Sequence, residues 1–252
     1  MPASSEALGI VVYAPALESE DSRPAAVIHA MEQALPGVRL EWTVSRENQL
    51  VVLPQRDTWL AEARADGGFP LLCNNDETHP VMISARERPA MPGPSGHAIL
   101  EVHASIPCDA GGIAAASRVL EGIAESARAS WGHASPKGLS SELARQMRHS
   151  PQGPERSPRG LPMLKLPWHI RTPAVPYHLG WLNYWSAAAA RAIGFPDPGR
   201  DADLLSRARH TSTGGWVVQL TDAPLDLGDA PHLETLLRTY ERFPGIGGRA
   251  EP

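Results

Sequence analysis

Apolar and polar positions along this chain switch between a period of two and a period of three to four, and the switches predict the elements. Leu8 to Tyr13 is a short apolar run closed by Pro15 and reads as a buried strand. Ser22 is an N-cap candidate with Pro24 in the first turn. Ala26, Val27, Ala30, Met31 and Ala34 then keep helical spacing as far as Pro36-Gly37. Val38, Leu40, Trp42 and Val44 alternate with Arg39, Glu41, Thr43 and Ser45, a half-buried strand. Leu50 to Leu53 is a second apolar run, stopped by Pro54, and Asp57 caps a short helix carrying Trp59, Leu60 and Ala63. Phe69–Cys73 and Pro80–Ala85 flank a polar turn as a strand pair, and Met91–Gly96 reads as a loop.

From His97 to Ile106 the alternation sets Ala98, Leu100, Val102, Ala104 and Ile106 against a polar face of Glu101, His103 and Ser105. Asp109 opens the longest helical pattern, with Ile113, Ala116, Val119, Leu120, Ile123, Ala127 and Trp131 at three- and four-residue steps. A shorter helix covers Ser140 to Arg148. Seven prolines between Ser150 and Tyr177 exclude regular helix or central strand there and predict a long surface loop. Trp181, Asn183 and Trp185 alternate with Leu182, Tyr184 and Ser186, a strand that is either core or a recognition surface. Ala187–Ile193 and Leu204–Ala208 are helical patches. Trp216–Leu220 is a second aromatic strand able to pair with the first, and Pro231–Phe243 is a helix. The expected class is α+β: a mainly antiparallel sheet with helices packed on one side. The expected organisation is an N-terminal subdomain (1–149), a proline-rich basic loop (150–177), a C-terminal α+β portion (178–244) and a mobile tail (245–252).

At 252 residues, 42% hydrophobic and 20% charged, the chain has the makeup of an ordinary globular protein with a sizeable core. A formal charge of −5 supplies no basic field for nucleic acid. No apolar run reaches the ~18–20 residues that span a bilayer. The N-terminus has no basic, apolar leader, so the cytoplasm is the expected compartment, and Cys73 and Cys108 are expected to be reduced.

Motifs for chemistry are missing. The chain has no phosphate loop, no dinucleotide fingerprint in a strand-turn-helix context, no His-Glu-x-x-His, no Cys-x-x-Cys and no nucleophile elbow. No catalytic, cofactor or metal residue is therefore expected. The competing reading is a small hydrolase using His103 or His133 with a nearby carboxylate; Ser135 near His133 resembles a fragment of such a site, although a helix-terminal His beside small residues is commonly a cap. Charge patterning says more. Arg145, Arg148, Arg156, Arg159, Lys165 and Arg171 make a basic loop, whereas from Thr211 to Leu237 the only formal charges are Asp222, Asp226, Asp229 and Glu234. An acidic edge of this kind suits a cationic partner, and it can occupy a groove built for a phosphate backbone.

Three stretches look familiar together: Leu53-Pro54-Gln55-Arg56-Asp57-Thr58-Trp59-Leu60, Leu179 to Ser186, and Gly214-Gly215-Trp216 to Asp222. Nearly the whole chain resembles a bacterial family of uncharacterised proteins. Its Gly180-Trp181-Leu182-Asn183-Tyr184-Trp185 segment resembles the immunity protein 52 family of polymorphic toxin systems. That resemblance implies a non-enzymatic protein that binds and neutralises a cognate toxin, often a nuclease. It implies no cofactor, no direct contact with nucleic acid and no membrane. The partner-binding candidates are Asp222, Asp226, Asp229 and Glu234, with Trp181 and Trp185 if the aromatic strand is a surface.

Overall fold

The computed structural model describes residues 7–18, 21–63, 67–90, 96–147, 157 and 159–249. Its backbone forms two compact units, Met1–Pro89 with Ala98–Ala134, and Ala90–His97 with Ser135–Pro252. The division falls at Ala134/Ser135, so the helix after it and the described part of the proline-rich stretch belong to the second unit. The class is α+β with antiparallel pairing, as expected.

In the first unit the strands are β1 (Ala7–Pro15), β2 (Trp42–Val44), β3 (Leu50–Val52), β4 (Gly68–Cys73), β5 (Met82–Arg88), β6 (Ile99–Pro107) and the start of β7 (Trp131–Pro136). Their order is β3-β2-β4-β5-β6-β1-β7, antiparallel from β3 to β1. Helices α1 (Arg23–Ala34), α2 (Arg56–Ala63) and α3 (Ala110–Ala127) complete it. Alternate residues Leu8, Ile10 and Val12 of β1, paired with Ile106, Ala104 and Val102 of β6, are buried on the face over which α3 packs together with α1. Val119, Leu120 and Ile123 of α3 are fully buried, each stabilising by roughly 1.5–3 kcal/mol. Asp109 starts α3 by accepting the Gly112 N–H at 2.8 Å. Gly112 itself lies where a Cβ would come within 1.9 Å of the Pro107 carbonyl, so this turn requires glycine.

One arginine ties these elements together. Arg23 donates from Nη1 to the carbonyls of Pro15 (2.8 Å) and Ala127 (3.1 Å), and from Nη2 to that of Ala16 (2.6 Å). Its Nε bonds Asp21 at 2.7 Å. The end of β1, the start of α1 and the last turn of α3 thus share one charged donor, well placed against helix-terminal carbonyls.

Several expectations change. Ser22 makes no side-chain cap. Of the stretch from Val38, only Trp42–Val44 is strand, and its phase is reversed: Thr43 is buried, donating to the Leu71 carbonyl at 2.7 Å, while Val44 is exposed. The α3 helix stops at Arg128, a left-handed residue (φ +53°), so Trp131 is not on its face but opens β7. The loop at 91–95 lies outside the described residues.

The second unit contains α4 (Ser140–Gln146), β8 (Leu182–Trp185), α5 (Ala187–Ile193), α6 (Ala202–Ser206), β9 (Ala208–His210), β10 (Trp216–Gln219) and α7 (Ala230–Arg242). The two aromatic strands pair as expected, β8 and β10 running antiparallel from Trp216↔Trp185 to Gln219↔Leu182, with β9 beyond β10. Two readings are overturned here. The proline-rich stretch is not all surface, because Leu161, Leu164, Ile170, Val175 and Tyr177 are buried. Nor is 245–249 a mobile tail: Ile246–Gly248 form a buried 3-10 turn, with Gly247 donating to the Pro176 carbonyl and accepting from the Lys165 N–H. Residues 250–252 lie outside the described residues.

Candidate functional site

The acidic stretch runs from the end of β10 into the first turn of α7, and all four of its carboxylate residues are exposed. Local geometry uses part of this set. Asp229 is the N-cap of α7, accepting the His232 N–H at 3.2 Å, with proline in the first turn. Asp226 accepts the Gly228 N–H at 2.8 Å, and its own N–H donates to His232 Nδ1 at 3.2 Å. Glu234 stands 3.8 Å from Arg238, one turn away; both are about two-thirds exposed (67% and 68%), so water screens the pair. At Asp222 the backbone carbonyl accepts from Gln219 Nε2 at 3.3 Å. All four belong to the second unit and are exposed to solvent.

The basic stretch is less free than its sequence suggests. Arg145 and Arg159 approach the buried Glu142 at 3.2 and 3.9 Å, and Arg159 also donates to the Leu227 carbonyl within the acidic stretch. Arg148 and Arg156 lie outside the described residues.

Trp181 and Trp185 are 2% and 0% exposed, so the aromatic strand is core and a partner does not reach them in this structure. The Trp181 indole N–H donates to the Thr221 carbonyl at 2.7 Å. Trp185 packs edge-on to Phe195 and Phe243, with ring centres 5.1 and 5.5 Å apart. Asn183 closes a ring on Gly180, accepting its N–H at 2.9 Å and donating to its carbonyl at 3.0 Å. The Gly-Trp-x-Asn-Tyr-Trp segment is thus a folding element.

The histidines of the hydrolase reading lie on different strands, β6 and β7. His103 lies on the sheet face opposite α3, with Nε2 3.5 Å from the Glu101 carboxylate. Glu101, on the polar face of its strand, is nevertheless 1% exposed and pairs with Arg88 at 2.7 Å. His133 is not helix-terminal; it is buried in β7, near Trp131. Ser135 is buried too, its hydroxyl accepting the Trp181 N–H at 3.1 Å. Among the described residues no three His, Cys, Asp or Glu side chains form a group able to hold a metal, and Cys73 and Cys108 are not joined in a disulfide.

Sequence reasoning missed an open cleft of about 950 Å³ in the first unit, beside the sheet edge at β3. Trp59, Phe69 and Val51 are among its apolar lining residues, and Arg46, Arg86 and His103 line it as well. The signals available were the apolar run Leu50–Leu53 and the arginines around it, but which face they shared depended on strand pairing.

Comparison with known proteins reports on the fold and on the family. No curated protein matches the chain. Among solved structures it is similar to the Pseudomonas aeruginosa T6SS protein PA0821, with a TM-score of 0.58 and 16% sequence identity over 96% of this chain and 73% of that one. At that identity the likeness is one of fold. The family model of a domain of unknown function, DUF5953, matches residues 19–251, and the chain belongs to that family.

Proposed function

We propose that this protein is an immunity protein: a cytoplasmic, non-enzymatic inhibitor that binds a cognate protein toxin, a nuclease, and covers it stoichiometrically. The observation that carries the reading is the exposure of Asp222, Asp226, Asp229 and Glu234 within one short stretch of chain, with Arg238 the nearest cation in sequence. A nuclease must present a cationic groove to its substrate's phosphates, and a carboxylate edge complements such a groove and speeds encounter. The T6SS name of the structural neighbour and the immunity protein 52 resemblance of the Gly180–Trp185 segment support a toxin-system setting. A standard interface burying roughly 1,600 Å² is the scale expected.

The test is co-expression with the toxin encoded beside this gene, scored by growth and by binding of the purified pair. Replacing all four carboxylates by lysine should abolish rescue and slow association at least roughly tenfold. Asn at positions 226 and 229 keeps the turn and cap acceptors, so the milder D222N/D226N/D229N/E234N variant separates charge from folding. Rescue and binding unchanged in both variants would refute the proposal. The hydrolase alternative rests on the Glu101–His103 contact and predicts a turnover that His103→Ala removes.

A further inference from the structure

We infer that the β3 edge and the cleft beside it form a second docking site, for an extended, acidic segment of another protein that adds a strand to the sheet. This goes beyond the toxin-binding reading and does not depend on it.

β3 ends the strand order of the first unit. Its register with β2, together with the bonds from Ser45 N–H to the Gln49 carbonyl and from Leu53 N–H to the Glu41 carbonyl, turns Val51 toward β2. By alternation Leu50 and Val52 direct their N–H and C=O groups outward. Proteins ordinarily blunt such an edge with lysine, proline or a bulge, and β3 carries none of these. Its side chains are instead all apolar and exposed: Leu50 44%, Val51 37% and Val52 51%, with Val44 of β2 at 37%. An added extended chain satisfies the outward groups and covers those side chains together, which a docked helix does not.

Charge sets the chemistry of the occupant. Val51 faces the cleft, where Arg46 and Arg86 line the wall. Both are exposed, and neither has a hydrogen bond or ion pair through its side chain among the described residues. The acid of the lining, Glu62, leaves an excess of cationic side chains there. A segment alternating apolar and acidic residues therefore fits: its backbone pairs with Leu50 and Val52, and its carboxylates reach the guanidinium groups.

The probes are two short fluorescent peptides, one alternating valine with glutamate and one alternating valine with lysine, titrated into the full chain. The glutamate peptide should bind roughly tenfold or more tightly than the lysine peptide, and should shift the amide resonances of Leu50 and Val52. R46E/R86E should remove that preference, and Val52→Pro, which deletes one outward N–H, should weaken both peptides. If Val52→Pro perturbs the fold, the exposed R46E/R86E pair decides the matter alone. Equal binding of the two peptides, or a preference that survives R46E/R86E, would overturn the inference. So would concentration-dependent dimerisation of the chain through β3, which would make a second copy the occupant.

Discussion

Asp201 is fully buried and holds the guanidinium of Arg242 at 2.5 and 2.9 Å, joining the start of α6 to the end of α7. The same carboxylate accepts the Asp197 N–H at 2.7 Å. Such a pair costs more to break than to omit, because a lone buried carboxylate has lost its water. Arg242→Met is expected to destabilise the protein by about 3–5 kcal/mol, read as a lower urea midpoint. The double variant D201N/R242M, which keeps an acceptor for Asp197, should recover part of that loss.

Acid stability is set in part by Asp21. Burial alone would raise its carboxyl pKa, but hydrogen bonds from the Arg23 side chain and backbone and from the Glu18 N–H outweigh it and hold the pKa at about 2. The unfolded value is ~3.9, so the contribution is complete above that and is lost as pH falls toward 2. Asp21→Asn should cost on the order of 2 kcal/mol at neutral pH and almost nothing at pH 2. Urea titrations of both proteins across that range measure the difference.

His178 acts in the same direction, in a less acidic window. Burial lowers its pKa to about 4, against ~6.5 unfolded. Between those values the unfolded chain binds a proton that the folded chain refuses, so stability should rise with pH from about 4 to 6.5. His178→Gln should flatten that rise, by up to about 3 kcal/mol across the window. An Asp21→Asn background removes the overlap with the more acidic transition.

Gly247 has φ +74°, and a Cβ there would come within 2.5 Å of Leu164 Cδ2. Gly247→Ala combines left-handed strain with a clash and should cost about 1–3 kcal/mol. Trimming Leu164 to Ala relieves the clash, so the double variant should be more stable than the two single losses added together. A double-mutant cycle by thermal unfolding tests this.

Long, evenly patterned elements were legible in the sequence. The apolar faces of β1 and β6, the Asp109 cap and stripe of α3, and the pairing of β8 with β10 follow from spacing alone. β7 was hidden because Trp131 falls four residues after Ala127 and continues the helical step, while the stop at Arg128 is a left-handed residue with no glycine to announce it. The buried turn at Ile246–Gly248 was hidden for a different reason. Its glycines suggest freedom, but the partners that seat it, Leu164, Lys165 and Pro176, lie about seventy to eighty residues earlier in the chain. At the candidate site the charges of Asp222 to Glu234 were readable, but that two of them serve α7 and its turn was not. Alternation placed Glu101 correctly on its face. Only Arg88, from the neighbouring strand, explains how a carboxylate is accommodated there with 1% exposure.

On the ribosome the two units would mature at different times. All the chain that the first unit holds has been made once Ala134 is added, whereas Trp185 waits for its edge-on partner Phe243. A nascent chain therefore carries an incompletely packed Trp185 from its own synthesis until Phe243 follows, and this is where a chaperone or a misfolding route would find it.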